Sequence, residues 1–179
     1  MKKTNLVYVL AFLLSGCVAT PVVTTQPRPI GANVPVRGDS IFCVMAPPDA
    51  SFGGEVYSGS GREIAEKIRI ALQKAGRQSC LVSQTQHDSI TLAKEKGATH
   101  VIETTVLQYE DHTTGWSGKP DRIELRISLY DIEQSQQQHT IFYEATSNVF
   151  AAGFLEWGNP QPSELLGRDF DETIKKLVK

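Results

Sequence analysis

The sequence predicts an α/β fold: a mixed five-stranded sheet with helices packed on it, in the element order β-α-β-α-β-β-β-α. Three observations carry this. A short unbroken apolar run, Ile41 to Ala46, suits a strand buried on both faces. An amphipathic helical stretch follows and leads to a second short apolar run, the pattern of a strand–helix–strand unit with a right-handed crossover. Further on, residues 122–131 alternate apolar and polar side chains at period two, as an antiparallel strand with one wet face does.

Taken in order, the first strand stops at Pro47 and Pro48 and gives way to a Gly-rich loop. Ser60-Gly61-Arg62-Glu63 has the spacing of a capping box, which predicts a helix start at Ser60. Ile64, Ile68, Leu72 and Ala75 recur on one helical face, and Gly76 stands where a C-terminal cap belongs. Cys80-Leu81-Val82 is the second strand. A lesser helix is expected over about 88–96, ending at Gly97, and a Val/Ile/Thr-rich strand over 99–109. In the fourth strand Ile123, Leu125, Ile127 and Leu129 share one face, opposite Arg122, Glu124, Arg126 and Ser128. A polar turn over 133–138 and a last strand over 140–147 follow. Ser163 is expected to cap a final helix whose Leu166, Phe170, Ile174 and Leu177 lie on one face.

The N-terminus reads differently. Lys2 and Lys3 precede an uncharged apolar run, Leu6 to Leu14, and then Leu14-Ser15-Gly16-Cys17. A positive start, a short apolar core and small residues before a cut describe a secretory signal. The run is far shorter than the roughly 20 residues that span a bilayer. LSGC resembles the lipobox of bacterial lipoproteins, which implies that residues 1–16 are removed and Cys17 becomes acylated. Val18, rather than an aspartate, follows the cysteine, which resembles cargo sorted to the outer membrane, with the domain facing the periplasm. Residues 17–38 hold Pro21, Pro27, Pro29 and Pro35 without apolar periodicity and read as a tether. Residues 39–179 form one globular domain, long enough for a real core. Loss of Lys2 and Lys3 reduces 18 basic residues to 16 against 20 acidic ones, a formal charge of −4. That charge gives no support for nucleic acid or for anionic lipid as a main ligand. Cys43 and Cys80 are the remaining thiols, either a disulfide or two small buried hydrophobes.

The topology gathers function-bearing residues at one place. If the third strand runs parallel to the first, loops 47–59, 110–121 and 149–161 emerge at the same sheet end. They carry Trp116 and Trp157 together with Phe52, Tyr57, Phe154, Asp111, His112, Asp121 and Arg122. Ligands of open α/β sheets sit outside the carboxyl ends of strands, and long loops in compact domains tend to carry function. The aromatic side chains are either anchors for a partner or a small core plugging the sheet end.

Residues 109–131, YEDHTTGWSGKPDRIELRISLYD, resemble the most distinctive segment of an uncharacterised, domain-of-unknown-function family of Gram-negative lipoproteins. GGEVYSGSG and the stretch from Asn159 to Leu166 are similar to the same family, so the resemblance covers about residues 39–179. The chain departs from the family pattern at His112, where the family carries Arg, and at Gly115, where it carries Glu. No role needing charge at these two positions is therefore carried over. The resemblance implies no activity. More distantly, the element order is similar to lipoprotein domains of the curli secretion pore and penicillin-binding-protein activators. It is also similar to the N-terminal domain of the Tol-system periplasmic protein. These similarities imply protein binding by fold analogy.

Residue chemistry gives catalysis less support. Glu110, Asp111 and His112 could serve a hydrolase or hold a divalent metal, yet the chain has no HExxH, GxSxG or paired CxxC signature. Turn capping and a local Asp121–Arg122 pair explain the same residues. Ser58-Gly59-Ser60-Gly61 could cradle an anion on exposed amides, but it lacks the lysine and spacing of a nucleotide-binding loop. His87, His100 and His139 are scattered. The sequence thus favours a lipid-anchored, non-enzymatic docking or accessory protein without cofactor or metal. A peptidoglycan or small-ligand module is an alternative, and an enzyme built on Glu110, Asp111 and His112 is another.

Overall fold

A computed structural model describes residues 36–82, 89–112, 119–147 and 161–179, together with the backbone of 20–25. Its strands are β1 (Thr20–Thr25), β2 (Ile41–Met45), β3 (Ser51–Phe52), β4 (Glu55–Val56), β5 (Gln78–Val82), β6 (His100–Glu110), β7 (Arg122–Asp131) and β8 (Gln136–Thr146). Its helices are α1 (Ser60–Lys74), α2 (Ser89–Glu95) and α3 (Arg168–Leu177), with a 3-10 turn at Pro162–Leu165. The main sheet has the strand order β1-β8-β7-β6-β2-β5, and β3 and β4 pair as a separate small hairpin.

The mixed α/β fold is the one the residue pattern predicts. β2 pairs in parallel with β5 and β6, whereas β6, β7 and β8 form an antiparallel meander. β2 is central because both of its faces are apolar. Phe42 and Val44 enter the main core, and Cys43 and Met45 enter a smaller cluster on the opposite face. α1 and α3 cover the main core, with Ile64, Ile68, Phe170 and Ile174 fully buried. α2 covers the other face near β2 and β5, where Ala93 packs with Cys43, Met45 and Val82. Cys43 and Cys80 are register partners with Cα atoms 4.5 Å apart, and a disulfide joins them.

β7 shows the alternation in its plainest form: Ile123, Leu125, Ile127 and Leu129 are all wholly buried. β6 breaks its own alternation. A bulge between Val106 and Gln108 leaves Leu107 outward and returns Tyr109 to the core.

Several expectations are corrected. Ser60 is not a helix cap; it is the first residue of α1, its hydroxyl accepts the Ala50 N–H at 2.8 Å, and Gly59 precedes it at φ 87°. Ser163 does not cap the last helix either. It lies buried in the 3-10 turn and donates to Glu63 at 2.9 Å, while Gly167 interrupts the backbone before α3 begins. The polar turn is shorter than expected, because Gln136 to Gln138 extend β8, where the Gln137 side chain accepts from the Tyr130 hydroxyl at 3.1 Å. Within the stretch read as a tether, Thr20–Thr25 is an edge strand paired antiparallel with β8. Pro21 is tolerated there because an edge strand can lack an N–H on its outer side.

At the far end of the sheet His100 is 6% exposed, stacks on Phe42 with ring centroids 5.3 Å apart, and has Nδ1 2.8 Å from the Thr99 hydroxyl. Burial pulls its pKa below the ordinary 6.5. The unfolded chain therefore binds the proton first, and the stability His100 confers is full above its ordinary value and lost as pH falls below it. Denaturation measured from about pH 7.5 down to about pH 5.5 should show this slope, and His100→Gln should flatten it. Phe170, packed edge-on against Tyr143 at 4.9 Å, sets a second test. Phe170→Ala should cost about 3–5 kcal/mol in equilibrium denaturation.

Candidate functional site

The carboxyl end of β6, the start of β7 and the end of β8 lie together, whereas β2 stops near Ile102 and the segment after it carries Phe52 on to His112. In register, Glu110 faces Arg122 and Arg122 faces Thr146. Described residues of the 47–59 and 110–121 segments meet here, and Ser147 at the end of β8 joins them. Asp121, 1% exposed, accepts the His112 N–H on Oδ1 at 2.7 Å. Its own N–H donates to the Ser147 hydroxyl at 2.8 Å, and the Ser147 N–H donates to its carbonyl at 2.9 Å. Phe52 from the first loop meets the His112 ring edge-on at 4.9 Å, and Tyr57 lies 5.0 Å from Tyr109.

The chemistry of the end follows from these placements. Burial, together with the neighbouring Asp111 carboxylate that accepts a hydrogen bond from it, pushes the Tyr57 phenol up to about 12. Burial likewise raises Tyr109, with Ser163 partly offsetting it. Both phenols thus stay protonated, and the Tyr57 hydroxyl is turned to Asp111. Strand-like alternation separates the acidic run: Glu110 and His112 turn to the same side, with Oε2 and Nε2 3.3 Å apart, while Asp111 turns toward Tyr57. Arg122 meets Glu144 at 2.7 Å and Glu124 at 3.7 Å on the outer sheet face. Among the described residues, no group of three or more His, Cys, Asp or Glu side chains is placed to hold a metal ion.

The glycine-serine loop is occupied by the chain itself. The Asp49 carboxylate accepts the Gly59 N–H at 2.9 Å and the Gly61 N–H at 3.0 Å, and these two bonds hold its pKa below the usual 3.8. The N–H groups of Tyr57, Ser58 and Ser60 donate to backbone carbonyls. Asp49 is thus the cap of α1, delivered from ten residues away by the β3–β4 hairpin. No local spacing signals it. Gly61 is needed for close approach, since an added Cβ would collide with the Pro47 carbonyl oxygen. Trp116, Trp157, Phe154, Cys17 and His87 lie outside the described residues.

No family model matches the chain, and no curated protein matches it in sequence. Solved structures similar to it include the PelC dodecamer from Paraburkholderia phytofirmans. That match has 12% identity over 82% of this chain and 95% of PelC, with a TM-score of 0.52. A DUF330-family protein from Xanthomonas campestris is similar at 16% identity over 88% and 90% of the two chains, with a TM-score of 0.43. The lipoprotein GNA1162 from Neisseria meningitidis is similar at 12% identity over 78% and 98%, with a TM-score of 0.45. At such identity the PelC likeness shows the fold.

Helix propensity favours alanine over glycine, so Gly61→Ala should be stabilising if the helix alone mattered. The collision with Pro47 reverses the sign, and the variant should lose about 1–3 kcal/mol in denaturant titration.

Proposed function

We propose that this chain is a lipid-anchored accessory protein of the cell envelope that acts by docking rather than by catalysis, through the loop end of its sheet. In this reading residues 1–16 are a signal, acylated Cys17 is the anchor, and the domain faces the periplasm from the outer membrane. The observation that carries it is how the carboxylates at this end are used. Asp49 holds helix amides, Asp121 holds the His112 N–H, Asp111 accepts from Tyr57 and Glu63 accepts from Ser163. Groups so engaged fix the described residues of this end to one another, and preorganised aromatic and hydrogen-bonding surfaces are what docking requires. The fold shared with PelC, itself a dodecamer, agrees with an assembling envelope protein.

A photocrosslinker at Trp116, introduced in cells, should yield a discrete adduct identifiable by mass spectrometry. The adduct should disappear on Trp157→Ala, while the protein stays folded by circular dichroism. Adducts unchanged by that substitution, or none at all, would remove the loop end as the docking surface.

A further inference from the structure

β1 fixes where the anchor leaves the domain. It pairs antiparallel with β8 so that Thr20 faces Thr146 and Thr25 faces Ile141. Thr146 faces Arg122, and Arg122 faces Glu110. Thr20, Thr146, Arg122 and Glu110 therefore form one row across the sheet, at the end where the loops meet. Cys17 precedes Thr20 by three residues. Three extended residues span at most about 10 Å. An acyl chain on Cys17 therefore holds this end of the sheet close to the lipid headgroups.

The opposite end is remote. β8 runs eleven residues from Gln136 to Thr146, which at about 3.4 Å per residue separates the two ends by roughly 35 Å. The turn at Ile132–Ser135 lies there. At the near end Val56, on β4, is 66% exposed, and the hairpin that carries it reaches His112 through Phe52. An apolar side chain in that position suits the boundary layer of a membrane better than bulk water.

We infer that the loop end of the sheet faces the lipid headgroup layer that holds the anchor, with the long strands rising away from it and the β7–β8 turn pointing into the aqueous compartment. This rests on the reading of Cys17 as acylated. It deepens that reading by making the membrane surface the partner of this end, so that any protein bound there lies at the same surface.

The test uses the mature acylated chain reconstituted in vesicles of phosphatidylethanolamine and phosphatidylglycerol. A donor dye is placed at Val56→Cys in one sample and at Gln134→Cys in another, with acceptor-labelled lipid in the bilayer. Mass spectrometry of the N-terminal peptide reports the acylation of Cys17 independently. The expected result is strong energy transfer from position 56 and weak transfer from position 134. A Gly-Ser insertion of about 20 residues between Val18 and Ala19 should erase the difference, since a flexible linker of that length spans roughly 25 Å. Equal transfer from the two positions in the acylated wild-type chain, or stronger transfer from 134, would overturn the orientation while leaving the anchor intact. An unacylated Cys17 in protein recovered from cells would overturn both. Retention of the difference after the insertion would show that something other than the short anchor sets it, and would overturn the argument from β1.

Discussion

The burial of one side of β7 is the constraint on which the rest of the molecule depends. Ile123, Leu125, Ile127 and Leu129 are completely enclosed beneath α1 and α3. A slip of one residue would turn all four to the wet face, so the register with β6 and β8 is strongly specified. That register sets which residues stand at the sheet end. Glu110, Arg122 and Thr146 align because the strands are locked further down, at Ile127 and its neighbours. The bulge at Leu107 is accommodated within this frame and brings Tyr109 under Tyr57.

The loop end is held by ionisable groups used as clamps. A carboxylate that accepts backbone N–H groups satisfies donors that would otherwise be left unpaired on burial, and it stays charged while doing so. Asp49 does this for the start of α1, and Asp121 does it for the turn into β7. The phenols of Tyr57 and Tyr109 respond in the opposite sense. Burial disfavours their charged form, so both remain neutral phenols. Ring edges and internally engaged acids suit this end to recognition, because their geometry is preorganised.

Orientation and attachment are linked through β1. A tether that ran freely from the lipid to β2 would let the domain tumble above the membrane. Pairing of Thr20–Thr25 with β8 leaves only the residues between Cys17 and Thr20 to separate the proposed anchor from the sheet. In the proposed orientation, the charged outer face of β7 and β8, with Arg122 between Glu124 and Glu144, runs roughly perpendicular to the membrane surface.

Much of the fold was legible from local pattern. Period-two alternation over 122–131, helical spacing from Ile64 to Leu72 and terminal glycines at Gly76 and Gly97 each report a structure whose cause lies within a few residues. The order of those elements sufficed to bring the end of β6, the start of β7 and the end of β8 together. What the sequence alone could not reveal depends on contacts between distant segments. Asp49 rather than Ser60 caps α1, because the hairpin of β3 and β4 folds the carboxylate onto two amides ten and twelve residues away. Ser163 turns from an apparent cap into a donor to Glu63, a hundred residues distant. Thr20–Thr25 becomes a strand because β8 offers an edge that accepts a proline-containing partner, and no composition of the segment itself records that edge. Local propensity is written residue by residue; the identity of a hydrogen-bond partner is decided when the core closes and brings the remote groups within reach.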